Sequence, residues 1–418
     1  MNESFRWVVG IDWAKELHTV ALQDNEGRSV AERKLAHSGA DLAAFCSWLI
    51  EKTGAEPGEI AVAIETPRGP IVDMLLERSF KVFSINPKQL DRFRDRFTVA
   101  GAKDDSRDAK VLAHSLCSDP QAFRLLRIED ALVIELRGWL RIHDEFTQDR
   151  TRLSNRMGDQ LWRYYPQIGD LTDDLAATWF LDLWELVPTP GEAARLSEKK
   201  VARILKSHRI RRFAADEVLQ TLRRQPLAVA PGTTEAATAY IRSVVARLRV
   251  VNEQLKEADR RLEEITTAIE AKAEVEPGQI CEQRDVAILR SMPGLGRTSV
   301  AALLSEASEP LRRREYSVLR LLTGAAPVTR RSGKSRYVVR RLACHRRLRN
   351  ALYYWAHSAV QHDPVSRKRY EALRQRGHGK ARALRSVGDR LLYVLCTCLQ
   401  RQTLYDPNVK STQSALAA

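Results

Sequence analysis

The run Ile60-Ala61-Val62-Ala63-Ile64, five apolar residues ending on Glu65, restricts the fold more than any other stretch. A strand with one wet face alternates apolar and polar residues. An unbroken apolar run of this length fits a central strand covered on both faces, as in an α/β sheet. The carboxylate that follows then stands at a strand end. Asp12 has the same setting, at the close of the strand-like WVVGID. Two more acids, Asp105 and Asp108, sit three residues apart in GAKDDSRDAK (101–110) at the start of a helical pattern, which puts both on one helix face. Four acids from distant parts of the chain could thus meet around hard divalent cations, which take oxygen ligands. Each acid also has a plainer reading. Asp105 and Asp108 resemble an acidic N-cap arrangement, Asp12 a turn residue, and Glu65 a solvated carboxylate before Thr66-Pro67. The order of strand-Asp, strand-Glu and Asp-x-x-Asp opening a helix favours metal binding by the set.

The pattern around these acids predicts a mixed sheet. WVVGIDWA, HTVALQD and SVAERKLA, between residues 6 and 36, read as a three-stranded meander broken by Gly27 and polar pairs. A helix over 40–52, the IAVAI strand, a short helix over 71–77, a strand in KVFSINP and then the aspartate-bearing helix follow. Three strands, then alternating helix and strand, with acids on the first strand, a later strand and a late helix, is the arrangement of ribonuclease H-like nucleases. At 418 residues the chain exceeds one ordinary core, so two or three domains are expected.

From Ala131 to Tyr165 the apolar stripe is helical, and Pro166 ends it. A second stripe is more regular: Ile241, Val244, Leu248, Val251, Leu255, Ala258, Leu262, Ile265 and Ile269 alternate at three and four residues, which predicts a coiled coil. Its partner is either the first long helix or a second chain, and both options make a stiff spacer. Residues 166–232 read as small helices and loops, with Trp179 and Trp184 in their core. The basic KKVARILKSHRIRRF reads equally as a phosphate contact or a solvated face. The predicted organisation is an acid-bearing α/β domain (1–130), a long helical coiled-coil spacer (131–280) and a mainly helical C-terminal domain (281–418).

Charge points to a polyanionic partner, nucleic acid first: 68 Lys and Arg stand against 53 acids, a net +15. The excess is local. Arg312 to Arg349 holds thirteen Lys or Arg and one acid, Glu315, a net +12. Upstream of it, Met292-Pro-Gly-Leu-Gly-Arg-Thr-Ser299 opens a helix. Gly294, Gly296 and Arg297 would offer amides and charge to a phosphate backbone, with an ordinary Gly-rich helix turn as the plain alternative. Ser332 precedes Gly333 in a loop ringed by Arg330, Arg331, Lys334 and Arg336, and Arg340, Arg341, Arg346 and Arg347 extend the basic surface. Ser332 reads either as a nucleophile toward a phosphodiester or as a phosphate-binding hydroxyl, and the local residues favour binding. The N-terminus lacks a signal-peptide pattern, and no apolar run approaches the ~20 residues that a bilayer requires, which predicts a soluble cytoplasmic protein without membrane partners. The six cysteines are scattered and read as reduced, mostly buried thiols.

Taken together, VGIDWAK, IAVAIETPRGP, GAK-x-D-x-x-DA-x-x-LA, the long-helix spacer, MPGLGRTSVAALLSE, LTGAAPVTRRSGKS and RRLRNALYYWA resemble the DEDD insertion-sequence transposases over nearly the whole chain. That family includes the Piv/MooV-like invertases and the RNA-guided bridge recombinases. The resemblance implies a RuvC-like domain whose metal-binding tetrad is Asp12, Glu65, Asp105 and Asp108. It also implies a C-terminal transposase domain whose catalytic serine is Ser332. Asp104, where threonine is commoner, and Cys344-His345, where glycine and a polar residue are more usual, depart from the family pattern. Asp105 keeps the three-residue step to Asp108. The implied activity is site-specific recombination of a bacterial mobile element with Mg²⁺ and a phosphoserine intermediate. The implied partners are donor and target DNA, a structured guide RNA and further copies of the chain, as a dimer or tetramer with composite sites, associated with the nucleoid. Two other readings compete: a RuvC-like nuclease that resolves branched DNA without a covalent adduct, and a non-catalytic nucleic-acid scaffold. A complete set of four acids weighs against the scaffold. His18, His114 and Lys334 are candidate general bases, but each reads more simply as a surface or packing residue.

Overall fold

A computed structural model of the chain describes residues 5–97, 105–272, 282–333 and 335–407. Gly101, Asp104, Cys281 and Lys334 lie outside the described residues. The chain divides into two compact units, Met1–Asp130 and Ala131–Ala418.

The first unit is built on a six-stranded sheet of order β3-β2-β1-β4-β5-β6. The strands are β1 (Trp7–Asp12), β2 (Leu17–Asp24), β3 (Ser29–Ala36), β4 (Ile60–Ile64), β5 (Lys81–Ser84) and the short edge strand β6 (Arg124–Leu125). β1 to β3 form the antiparallel meander expected from three strand-like runs broken by Gly27 and polar pairs, β4 then joins in parallel to β1 and β5 in parallel to β4. All five residues of β4 are buried, which is why its sequence is apolar without alternation. On one face Val9, Ile11, Val62 and Ile64 pack against α1 (Gly39–Thr53) and α2 (Pro70–Glu77) through Phe45, Leu49, Ile71 and Leu75. Ser38 caps the start of α1 by accepting from the Asp41 amide, and Gly54 in the left-handed region (φ 60°) ends it. On the other face Val8, Ala61 and Ala63 pack against Leu90 of α3 (Pro87–Phe97) and Val111, Leu112 and Leu116 of α4 (Asp105–Ser118).

α3 does not figure among the elements expected from sequence, which run from the KVFSINP strand straight to the aspartate helix. Its PKQLDRFRDRF carries few apolar residues, so the helical period is faint; Leu90 is fully buried and Phe93 half-buried.

Helix α4 lies on β1 at backbone contact. A Cβ on Gly10 would stand 1.9 Å from the Ala109 carbonyl oxygen and 2.7 Å from the Ala113 amide nitrogen, so only glycine fits beneath this helix.

The second unit is organised by two long helices that pack along one another, α5 (Ala131–Tyr164) and α11 (Thr233–Lys272). The regular seam of α11 is buried within the chain and contributes to two cores. Ile241, Val244 and Leu248 join Met157 and Leu161 of α5 and the short helices α6 to α10 (residues 166–222). Trp184 is fully buried there, donating to the Tyr164 hydroxyl at 3.2 Å, which in turn donates to the Pro188 carbonyl at 2.8 Å. Leu262, Ile265 and Ile269 join Leu136 and Leu140 in a second core. That core is completed by α12 (Glu282–Ser291), α13 (Arg297–Glu306), α14 (Ser308–Arg312), α15 (Tyr316–Leu322), α16 (Arg346–His362), α17 (Pro364–Gln375) and α18 (Lys380–Arg401). Among the described residues no helix is long and apolar enough to cross a membrane. The cysteines at 46, 117, 344, 396 and 398 are free thiols; burial pushes the Cys396 thiol up to about 12.

The contact at Gly10 generates a test. Gly10→Ala drives a methyl into helix backbone that cannot yield as a side chain does, and should destabilise the protein by at least about 2 kcal/mol in denaturant unfolding. Gly58→Ala, where an added Cβ meets nothing within 4 Å, is the control and should stay within about 0.5 kcal/mol of the parent.

Candidate functional site

The strand register places two of the four acids side by side. Ile11 pairs with Ile64 in the parallel β1–β4 ladder, so Asp12 and Glu65 each follow by one residue at the same edge of the sheet. Adjacent strands lie roughly 4.8 Å apart. Side chains two apart share a sheet face, so Asp12 projects to the same side as Gly10, the side covered by α4. Because α4 sits directly on Gly10 through Ala109, its first turn, with Asp105 and Asp108, falls over these strand ends. The three-residue spacing read from sequence thus delivers both aspartates to one place. Asp108 is buried and Asp105 exposed, while Asp12 and Glu65 are half-buried between them.

The acids act on one another. The Asp12 carboxyl is pushed up to about 6, first by its burial, then by the negative charges of Asp108, Asp105 and Glu65, with Arg94 pulling the other way. Arg94, on α3, supplies the local positive charge. Its Nε and Nη2 donate to the two carboxylate oxygens of Asp108 at 2.8 and 2.9 Å, its Nη1 donates to Asp91 at 2.8 Å, and Nη2 lies 3.8 Å from Glu65. Asp108 is therefore held by a guanidinium fork. Among the described residues no group of three or more His, Cys, Asp or Glu side chains is drawn together tightly enough to hold a metal ion. The donor set nonetheless fits one in chemical type: carboxylate oxygens alone, from adjoining backbone, with one proton affinity raised by burial and by neighbouring charge. Arg94 is the site residue that sequence reasoning missed. The only signal was the unusual density of arginines in DRFRDRF.

His18 is fully buried beside this edge, accepting from the Ala14 amide at 3.2 Å and bonded to His37 at 2.9 Å; burial, then His37, lowers its proton affinity. It packs and orients the β1–β2 turn. His114 lies under Gly27, where an added Cβ would stand 3.0 Å from its Nδ1.

In the second unit Ser332 does not sit in a loop. It ends β7 (Val328–Ser332), which pairs with β8 (Ser335–Val339) in an antiparallel hairpin, Ser332 opposite Ser335, with Gly333 at φ 54° beyond it. The segment lacks the alternation that marks a half-buried strand because almost every residue in the hairpin is exposed, Ser332, Arg330, Arg331 and Arg336 included. Arg340 and Arg346 are exposed as well. Arg341 and Arg347 have structural partners: Arg341 donates to the Ala326 carbonyl at 3.3 Å, and Arg347 pairs with Asp144 at 2.7 Å. Arg347 also lies 3.9 Å from the fully buried Glu306, which Arg137, Arg141 and His345 approach to 3.7, 3.8 and 3.7 Å. His345 caps α16, and Cys344 packs against Gly324, so this pair of departures from the family pattern has packing roles at the start of α16.

The Pro-Gly-x-Gly turn is in part a packing device. Gly294 (φ +71°) is pressed to the α16 backbone, where an added Cβ would stand 2.5 Å from the Ala359 nitrogen, and Trp355 donates to the Pro293 carbonyl at 3.0 Å. Gly296 and Arg297 remain exposed at the start of α13.

A sheet with an antiparallel meander continued by parallel strands, carrying acids at the ends of β1 and β4 and on a covering helix, is consistent with a ribonuclease H-like DEDD domain. Comparison with known families agrees. Residues 9–166 match the DEDD_Tnp_IS110 family, described as "Transposase", and residues 286–371 match the "Transposase IS116/IS110/IS902 family". The chain is 31% identical over 97% of its length to the "Mini-circle putative transposase for IS117" of Streptomyces coelicolor, covering 96% of that protein. It is 55% identical over 216 residues to "Putative transposase y4uE" of Sinorhizobium fredii, an alignment that spans 51% of this chain and 60% of that one. An "Insertion element IS110 uncharacterized 43.6 kDa protein" of Streptomyces coelicolor is 25% identical over 95% of both chains. The chain belongs to the IS110-type family of insertion-sequence transposases.

The raised proton affinity of Asp12 has a definite sign. Its folded-state value of about 6 exceeds the ordinary 3.8, so folding favours the protonated form. This contribution to stability is complete below about pH 4 and is lost as pH rises through about 6. In metal-free buffer Asp12→Asn should therefore gain stability relative to the parent as pH is raised across that window, read from unfolding midpoints. Parallel curves would remove Asp12 from the crowded cluster.

Proposed function

We propose that this chain is a DNA recombinase that excises and inserts its mobile element, with residues 1–130 as the metal-binding domain, 131–280 as a coiled-coil spacer and 281–418 as the serine-bearing domain. The observation that carries the reading is the meeting of Asp12, Glu65, Asp105 and Asp108 at one sheet edge, in a chain of transposase family. Asp12, Glu65, Asp105 and Asp108 would hold Mg²⁺, which when bound supplies positive charge to a scissile phosphate and its leaving oxygen. Exposed at its hairpin end, Ser332 attacks phosphorus through Oγ. A serine–phosphorus bond forms, the bond from phosphorus to the leaving strand oxygen breaks, and the hydroxyl proton departs as that oxygen is protonated. The number of phosphoester bonds is unchanged, so reversal onto another strand reseals DNA without ATP. Arg330, Arg331 and Arg336 flank Ser332 with fixed charge for the phosphate. The serine and the acids belong to different units, and the chemistry requires them to meet within one chain or between protomers of an oligomer. Exposed arginines without a sequence-reading helix suit a structured RNA that specifies the DNA by base pairing.

The experiment is to incubate the purified protein with its gene's flanking DNA, RNA transcribed from those flanks and Mg²⁺, and to resolve products on denaturing gels. A protein–DNA adduct present in the parent and lost in both Ser332→Ala and Asp105→Asn is the expected result. Free nicked DNA that persists in Ser332→Ala and disappears in Asp105→Asn would contradict the covalent step and leave a metal nuclease.

A further inference from the structure

Arg94 does more than join two helices. Its fork takes both oxygens of Asp108, its Nη2 comes within 3.8 Å of Glu65, and its charge acts on Asp12, so one guanidinium touches or influences three of the four acids. It is also anchored one turn back on its own helix, by Asp91 at 2.8 Å. The Arg94 side chain is three-quarters buried and that of Asp108 almost wholly so, a setting in which solvent screens the pair only partly. A hard divalent ion needs the same oxygens that the fork holds. Arg94 never loses its charge, so sharing them with the ion would set two cations against each other across one carboxylate. Asp91 offers the guanidinium a partner to keep once Asp108 is given up.

We infer that Arg94 is a resident counter-cation of the acidic site, exchanged for divalent metal, and that this exchange sets how tightly the site binds metal. The inference rests on the reading of the four acids as a metal site. In the metal-free chain Arg94 neutralises the crowded carboxylates and ties α3 to α4. When an ion enters, Asp108 turns from Arg94 to the ion, and Arg94 stays on Asp91. Metal occupancy is thereby coupled to the position of α3, and only ions that outcompete a bidentate guanidinium are admitted.

The test measures Mn²⁺ binding to the full-length protein without nucleic acid, by titration calorimetry and by the free-ion electron paramagnetic resonance signal. The proteins are the parent, Arg94→Ala, Arg94→Lys and Asp12→Asn, each also melted with and without Mn²⁺. Arg94→Ala should bind Mn²⁺ about tenfold more tightly or better, since a competing unit charge is gone. It should melt lower than the parent without metal and gain more on adding it. Arg94→Lys, which keeps charge but loses the fork, should fall between and covers the case in which the alanine variant does not fold. Binding in the parent that depends on Asp12 but is unchanged or weakened in Arg94→Ala and Arg94→Lys would overturn the exchange while leaving the metal site standing. No Asp12-dependent binding in any variant would overturn both.

Discussion

The closest constraint in the first unit is the contact between strand β1 and helix α4 at Gly10. No side chain fits there, so the helix axis comes to the sheet at backbone distance, and the first turn of the helix is carried over the ends of two parallel strands. Everything at the site follows from that approach. Asp12 shares a sheet face with Gly10, Glu65 lies beside it by register, and Asp108 precedes the contact residue Ala109 by one position. A helix seated a few ångströms higher would leave the same four acids apart and individually solvated.

Bringing them together has an electrostatic cost, because burial and neighbouring negative charge disfavour an ionised carboxylate. Asp12 carries that cost. A cluster of this kind needs positive charge, and α3 provides it through Arg94. The acidic edge is thus a cation site in either condition, with a guanidinium as one occupant and divalent metal, on the reading proposed here, as the other. That both occupants address Asp108 links the charge state of the site to the packing of α3 on α4.

Strands β1 to β5, three helices of the first unit and the long α11 were legible because burial writes a pattern into the residues: IAVAI for the doubly covered strand, apolar runs broken by Gly27 and polar pairs for the meander, three-and-four spacing for α11; the two-residue edge strand β6 is too short to leave one. The acids were legible because strand ends and a helix start could be located from those same periods. Arg94 was not, since α3 buries so little apolar surface that its helix leaves almost no pattern, and the value of a charged residue depends on which acids the fold sets before it. The β7–β8 hairpin was read as a loop for the same reason: with nearly every residue exposed, nothing enforces alternation. At Gly294 the glycine-rich turn offered two readings, and the backbone of α16 packs against the position where a Cβ would stand. The seam of α11 left its partner open because a regular apolar stripe is satisfied equally by a helix of the same chain or of another; α5 satisfies it here.

The second unit shows how a strongly basic chain divides its arginines. Those near Glu306 and Asp144 are bound to acids that anchor α5, α13 and α16, while those on the hairpin face outward around Ser332. The central claim, that the acidic edge is built to receive metal in exchange for Arg94, is tested most directly by anomalous diffraction from crystals grown with Mn²⁺. The account predicts an anomalous peak among Asp12, Glu65, Asp105 and Asp108, with the Arg94 fork withdrawn from Asp108. Crystals in which Arg94 keeps both oxygens of Asp108 and the edge shows no anomalous peak at saturating Mn²⁺ would contradict it.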